Sequence, residues 1–110
     1  MKKSKITIEV ELDENHIPEK MSWHAPDGGV DHQPTKATFM SVWDDKNKEA
    51  LRLDLWTKEM TVDDMKRFFH QIFISMSDSY KRATNEDETA TYIIEFAENF
   101  AYKAGIKDAK

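Results

Sequence analysis

The sequence predicts an α+β domain in which an antiparallel sheet of four strands, in the order ββββαα, carries two C-terminal helices packed on one face. Two observations support this prediction. Apolar and polar residues alternate through most of the N-terminal half, whereas apolar residues recur every three or four positions after Thr61. The length of 110 residues fits one domain, with residues 1–4 and 106–110 expected to be frayed.

The first two strands are predicted at residues 6–12 and 19–25. Both segments alternate apolar with polar side chains, and residues 13–18 between them are typical of a turn, so the two strands should form a hairpin. The run Pro26-Asp27-Gly28-Gly29 then interrupts regular structure, and the loop is expected to extend to residue 34.

Residues 38–44 are compatible with either a strand or a helix. Their β-branched and aromatic residues favour a strand that reaches a turn at residues 45–48 and pairs with a fourth strand containing Leu51, Leu53 and Leu55. A helix capped by Thr35 would instead place Lys36, Phe39, Met40 and Trp43 on one face. We favour the hairpin, although the period of so short a segment does not decide between them.

Two helices are predicted after residue 60. Thr61 is a suitable N-cap, followed by Asp64 as an acidic variant of the capping box, and Met60 and Met65 are placed to form a hydrophobic staple. The apolar stripe of the first helix consists of Met65, Phe68, Phe69, Ile72, Phe73, Met76, Tyr80 and Ala83.

The second helix is predicted to begin with a capping box formed by Asn85 and Glu88 and to end at Gly105. Small residues are frequent on its stripe, which consists of Ala90, Ile93, Ile94, Ala97, Phe100, Ala101 and Ala104. Such residues would let this helix approach a neighbour closely.

Composition and charge exclude several classes of function. A formal net charge of −5 disfavours broad nucleic-acid binding, which needs clustered cations. The absence of cysteine removes disulfide and thiolate chemistry. The basic N-terminus is followed by no apolar core of a signal peptide, so we expect a cytoplasmic protein that does not insert into membranes.

No residue set predicts catalysis, a cofactor or a bound metal. His24, Asp27, Asp31 and His32 surround a Gly-Gly turn and offer ligands that zinc or manganese accept. Their spacing matches no known metal motif, however, and turns are commonly rich in Asp and Gly, so a plain turn is favoured. His70 lacks a partner carboxylate in the predicted helix and is expected at the edge of the core.

One candidate interaction surface follows from the pleat of the fourth strand. If Leu51, Leu53 and Leu55 face the helices, Arg52, Asp54 and Trp56 must face the opposite side. Trp and Arg are enriched in binding hot spots, so this face is a plausible docking surface. Equally, Trp56 at the strand end could fold over an edge of the core.

Much of the chain resembles one known family. The segments VELDENHIPEKMSW, the DGG turn, SVWDDKNKEALRLDLWTKEMTVDDMKRFFHQ and MSDSYKRAT resemble the gliding-motility-associated GldC family, over approximately residues 6–100. The resemblance implies a soluble, non-enzymatic accessory of bacterial gliding that acts through protein partners, including other gliding-machinery components. It supplies no catalytic or ligand-binding residues.

Two alternatives remain open. The chain could be a small-ligand-binding protein or an enzyme whose pocket lies between sheet and helix pair. Such a pocket would be lined by Met60, Met65, Met76 and either His70 or Tyr80. It could also form a homodimer through the last helix, where Tyr92 and Phe96 lie off the main stripe.

Overall fold

A computed structural model describes residues 1–106, which contain five β-strands and two α-helices. The strands belong to a compact unit spanning Met1–Met60, and the helices belong to a second unit that begins at Thr61. The strands form two antiparallel sheets. The predicted α+β class is therefore confirmed, whereas the packing of the helices on a sheet stays a prediction.

The first sheet has three strands in the order β1-β2-β3: β1 (Thr7–Leu12), β2 (Pro18–Ala25) and β3 (Val30–Thr35). Asp13 shapes the turn between β1 and β2, because its Oδ1 accepts hydrogen bonds from the backbone N–H groups of Asn15 at 2.8 Å and Ile17 at 3.0 Å. A short carboxylate side chain bonded to nearby amides is a common device for fixing such turns.

The prediction of a loop extending to residue 34 is wrong, because Val30–Thr35 form the strand β3. Its sequence shows no clear alternation, and its pairing with β2 is interrupted near His24, so the usual strand signal is weak. Pro34 is tolerated because β3 lies at the edge of the sheet, where a missing N–H need not break the pairing.

The second sheet is a hairpin of β4 (Ala37–Asp44) and β5 (Glu49–Trp56), which confirms the strand interpretation of residues 38–44. Asp44 fixes its turn: the carboxylate accepts from the backbone N–H of Lys46 at 3.1 Å and from Nδ2 of Asn47 at 2.8 Å. The hydrogen bonds from Asn47 hold the pKa of Asp44 below its usual value.

The base of the hairpin is joined to the rest of its unit by hydrogen bonds. Thr57 continues the pairing of the hairpin by donating its backbone N–H to the carbonyl of Lys36 at 2.8 Å, and Lys58 joins the hairpin to β2 by donating its backbone N–H to the carbonyl of Pro18 at 3.3 Å. The ammonium of Lys58 also contacts the carboxylate of Asp13 at 2.5 Å. The end of β5 is thereby tied to the turn that precedes β2.

The first helix, α1 (Val62–Thr84), begins as predicted. Thr61 is its N-cap, and its Oγ1 accepts a hydrogen bond from the backbone N–H of Asp64 at 3.1 Å. The helix ends at Asn85, whose backbone is left-handed with φ 61°. The predicted capping box of Asn85 and Glu88 is therefore wrong, since Asn85 already terminates α1.

The second helix, α2 (Asp87–Lys103), ends at the predicted glycine. Gly105 has φ 81° and donates to the carbonyl of Tyr102, while Ile106 donates to the carbonyl of Ala101 at 2.9 Å, which is the Schellman pattern. Ile106 is thus hydrogen-bonded, and the rest of the predicted frayed tail lies outside the described residues. Neither helix within residues 1–106 is long and apolar enough to cross a membrane.

The two helices form an antiparallel pair through small residues. Ala90, Ala97 and Ala101 are almost completely buried, and Ser77 donates to the carbonyl of Ala90 at 2.7 Å. The ring of Phe73 meets the rings of Phe96 and Phe100 edge-on, with centroids 5.1 Å apart in both cases. Phe96 thus takes part in helix pairing as well as being exposed.

We expect Ala97→Leu to destabilise the protein, because the added atoms have no space between the two helices. Overpacking of this kind typically costs roughly 1–3 kcal/mol of unfolding free energy. Chemical denaturation measures the effect, and Glu95→Leu, at an exposed position of the same helix, is the matched control. Equal stability of the two variants would contradict the close packing at Ala97.

We also expect stability to depend on pH through Asp13. The hydrogen bond from Lys58 and the N–H of Ile17 lower the pKa of Asp13, and Asp13 in turn raises the pKa of Lys58. Because the pKa of Asp13 is lower in the folded than in the unfolded chain, the ionised carboxylate adds to the unfolding free energy above the ordinary pKa of Asp. This contribution is lost as the pH falls and the carboxylate is protonated, over about pH 5 to pH 2.

The measurement is thermal unfolding across that acidic range for the wild type, Asp13→Asn and Lys58→Gln. Asn keeps an oxygen for the turn hydrogen bonds but carries no charge, so Asp13→Asn should lose less stability on acidification than the wild type. Lys58→Gln should shift the profile in the same direction. Parallel profiles for all three proteins would contradict the role of this ion pair.

Candidate functional site

The β4–β5 hairpin presents two different faces. Residues that pair directly across two strands point to the same side, so the register assigns every side chain of the hairpin to a face. One side, here called the Leu face, consists of Thr38, Met40, Val42, Asp44, Glu49, Leu51, Leu53 and Leu55. The opposite side, here called the Trp face, contains Ala37, Phe39, Ser41, Trp43, Ala50, Arg52, Asp54 and Trp56.

The structure places Arg52, Asp54 and Trp56 together on the Trp face, on the side opposite Leu51 and Leu53. On the Leu face, Leu51 is 50% exposed and Leu53 is 42% exposed. Alternation determines which residues share a face, but it contains no information on whether that face is covered.

The Trp face carries two large exposed aromatic side chains, one near each end. Trp43 is 61% exposed and Trp56 is 54% exposed. Between them, Nε of Arg52 donates to Oδ2 of Asp54 at 3.2 Å. The face therefore offers two indoles around a charge-neutral ion pair. Trp43 belongs to it although Trp43 is not among the residues predicted for the interaction surface.

The hairpin also has open backbone edges. Within residues 1–106, neither β4 nor β5 pairs with a third strand. Each strand has eight residues, and a strand edge of this length presents N–H and C=O groups to which another chain can add. The hairpin thus combines exposed apolar side chains with strands that pair only with each other within residues 1–106.

A second group of side chains converges at the other sheet. Nδ1 of His32 lies 2.7 Å and Nδ1 of His24 lies 3.6 Å from the same carboxylate oxygen of Asp31. The two imidazole rings are stacked with centroids 4.1 Å apart. Asp27, the fourth polar residue of this segment, instead contacts Lys2 at 3.8 Å.

The convergence results from an irregularity in the pairing of β2 with β3. Trp23 pairs with Gln33 and Ala25 pairs with Val30, so His24 alone stands opposite Asp31 and His32. His32 has φ 46°, a left-handed conformation that non-glycine residues rarely adopt. This is a β-bulge, and sequence spacing could not reveal it.

The residues proposed for a ligand pocket are not all found together. Met76 and Tyr80 line a groove along α1, but Met60, Met65 and His70 do not. Tyr80 donates its hydroxyl to Glu86 at 2.7 Å, and this bond raises the pKa of the phenol. Tyr80 is thus engaged in joining the end of α1 to the start of α2.

The strand unit contains a depression of about 460 Å³ that the sequence does not predict. The buried hydroxyl of Thr57 has no hydrogen-bond partner and lies in its lining, as does the nearly buried Met21. The charged residues that line it are Glu9, Glu11, Glu19, Lys20, Lys36 and Glu59. Any small ligand bound here would therefore meet a predominantly acidic rim.

Comparison with known proteins identifies one family. Residues 18–106 match the family model described as "Gliding motility-associated protein GldC-like". No curated protein and no solved structure matches the chain. The matched range covers the exposed hairpin, the His24–Asp31–His32 group and both helices.

We expect Trp43→Ala and Trp56→Ala to change stability little, because both side chains are more than half exposed. Each substitution should cost at most about 1 kcal/mol of unfolding free energy, whereas Met21→Ala, at a nearly buried position, should cost roughly 2–5 kcal/mol. Urea denaturation of the three variants measures this. A loss for either tryptophan variant as large as that of Met21→Ala would show that the Trp face is covered in solution.

Proposed function

The chain belongs to the GldC-like family of gliding motility-associated proteins, and from this membership we propose that it is a soluble, non-enzymatic accessory that binds protein partners. The proposed partners are other components of the gliding machinery, and the proposed compartment is the cytoplasm. The formal net charge of −5 favours protein partners over nucleic acid.

The observation that carries this proposal is the exposed Trp face. Trp and Arg are the residue types most enriched in binding hot spots, and Trp43, Arg52 and Trp56 lie together on this face. The ion pair between Arg52 and Asp54 holds both charged groups in position without adding net charge. The face is thus suited to a protein surface with an apolar centre and a few polar groups.

The open edges of the hairpin favour a particular binding mode. A partner segment in extended conformation can extend a sheet by pairing with an edge strand, while its alternate side chains contact the face beside that edge. Either β4 or β5 could receive such a segment, since neither pairs with a third strand in the described part of the chain. Main-chain hydrogen bonds would then supply affinity, and Trp43 and Trp56 would supply selectivity.

The decisive experiment combines motility with partner capture. In a gliding bacterium whose own copy of this gene is deleted, we expect the wild-type chain to restore spreading on a surface. The double variant Trp43→Ala/Trp56→Ala should fail to restore spreading at equal protein levels. Cross-linking and affinity purification from the same cells should recover gliding-machinery proteins with the wild type and much less of them with the double variant.

A matched control is Tyr92→Ala, which removes an aromatic side chain that is 73% exposed on α2, outside the hairpin. This variant should behave as the wild type in both measurements. If Tyr92→Ala abolishes capture while the double tryptophan variant retains it, the working surface is on α2. If sedimentation then shows a dimer for the wild type but a monomer for Tyr92→Ala, the partner bound at α2 is a second copy of this chain.

A further inference from the structure

We propose that His24, Asp31 and His32 form a binding site for a divalent transition-metal ion, with Zn²⁺ as the best-fitting ion. Two imidazole nitrogens and one carboxylate oxygen are ligands that zinc accepts, and a water molecule would complete the usual four-coordinate arrangement. The site belongs to the three-stranded sheet and is independent of the hairpin proposed to bind protein partners.

The three side chains lie close enough to ligate one ion, which would replace the hydrogen bond between Nδ1 of His32 and Oδ1 of Asp31. One potential ligand atom from each residue lies within 4.8 Å of the other two. The Nδ1 atoms of His32 and His24 lie 2.7 Å and 3.6 Å from Oδ1 of Asp31. Ligand atoms in a tetrahedral zinc site are about 3.3 Å apart, given metal–ligand bonds of about 2.0–2.1 Å, so small side-chain rotations suffice.

The hydrogen bonds indicate where a cation would be favoured. Nδ1 of His24 accepts a hydrogen bond from the backbone N–H of His32 at 3.4 Å, so this nitrogen presents a lone pair. The same nitrogen faces the carboxylate of Asp31 at 3.6 Å. A metal ion bound between the two atoms would replace this long hydrogen bond at the lone pair and would be attracted by the carboxylate.

The backbone is arranged to produce this convergence. In a regular strand Asp31 and His32 would point to opposite faces of the sheet, because successive side chains alternate. The bulge opposite His24 places both residues beside that histidine instead. It requires left-handed φ at His32, a position for which Gly or Asn would be the ordinary choice.

The direct test is a titration of the full-length chain, prepared without a polyhistidine tag, with ZnCl₂. Isothermal titration calorimetry should give one bound Zn²⁺ per chain. Long-range ¹⁵N NMR should show the Nδ1 resonances of His24 and His32 shifting, while those of His16 and His70 stay unchanged. MgCl₂ should give no binding, because Mg²⁺ prefers an all-oxygen environment.

Two variants and one matched control make the test specific. His32→Asn removes the imidazole but tolerates left-handed φ, and Asp31→Asn removes the charge of the carboxylate; each should weaken Zn²⁺ binding by about tenfold or more. His16→Asn is the control, because His16 also has a left-handed φ, of 63°, but lies in the turn between β1 and β2. This control should bind Zn²⁺ as the wild type does.

Two results would overturn the proposal. One is the absence of stoichiometric Zn²⁺ binding by the wild type at millimolar concentration. The other is equal affinity of the wild type and Asp31→Asn or His32→Asn, with circular dichroism showing that both variants are folded. Binding that is lost only in His16→Asn would place the ion elsewhere and would equally contradict the site.

Discussion

The scarcity of buried apolar side chains is the constraint on which the rest of this structure depends. Among the described residues, Met21, Ala90, Ala97 and Ala101 are the buried apolar side chains, and three of these four are alanines. The elements must therefore be defined by directional interactions. Carboxylates fix the two hairpin turns, and a hydroxyl and a left-handed glycine fix the ends of the helices.

This reliance on local interactions explains which features could be predicted from the sequence. The start of α1 at Thr61 and the end of α2 at Gly105 depend on residues within one helical turn, so the local sequence contains the information. The β4–β5 hairpin is predictable for a similar reason, since β-branched and aromatic residues flank a turn of Asp, Lys and Asn. The predicted N-cap at Asn85 is wrong because asparagine is suited both to an N-cap and to a left-handed C-cap, and here it is the C-cap of α1.

The features that escaped prediction depend on residues distant in the chain. The strand β3 exists because β2 offers it an edge, not because its own residues alternate. His24, Asp31 and His32 are grouped around the turn by the sequence itself, but the convergence of their side chains depends on the register of that pairing, which spacing along the chain does not encode. The exposure of Leu51 and Leu53 likewise depends on what lies above the face, whereas alternation defines only the face itself.

The proposed binding of a partner would account for the exposed apolar residues of the hairpin. A two-stranded hairpin is marginally stable in water, and Lys58 joins this one to the rest of its unit through a hydrogen bond to Pro18 and an ion pair with Asp13. Trp43 and Trp56 are exposed on one face, and Leu51 and Leu53 are exposed on the other. Two apolar faces on one hairpin are accounted for if a partner covers at least one of them, since burial of that surface would stabilise the hairpin and the complex together.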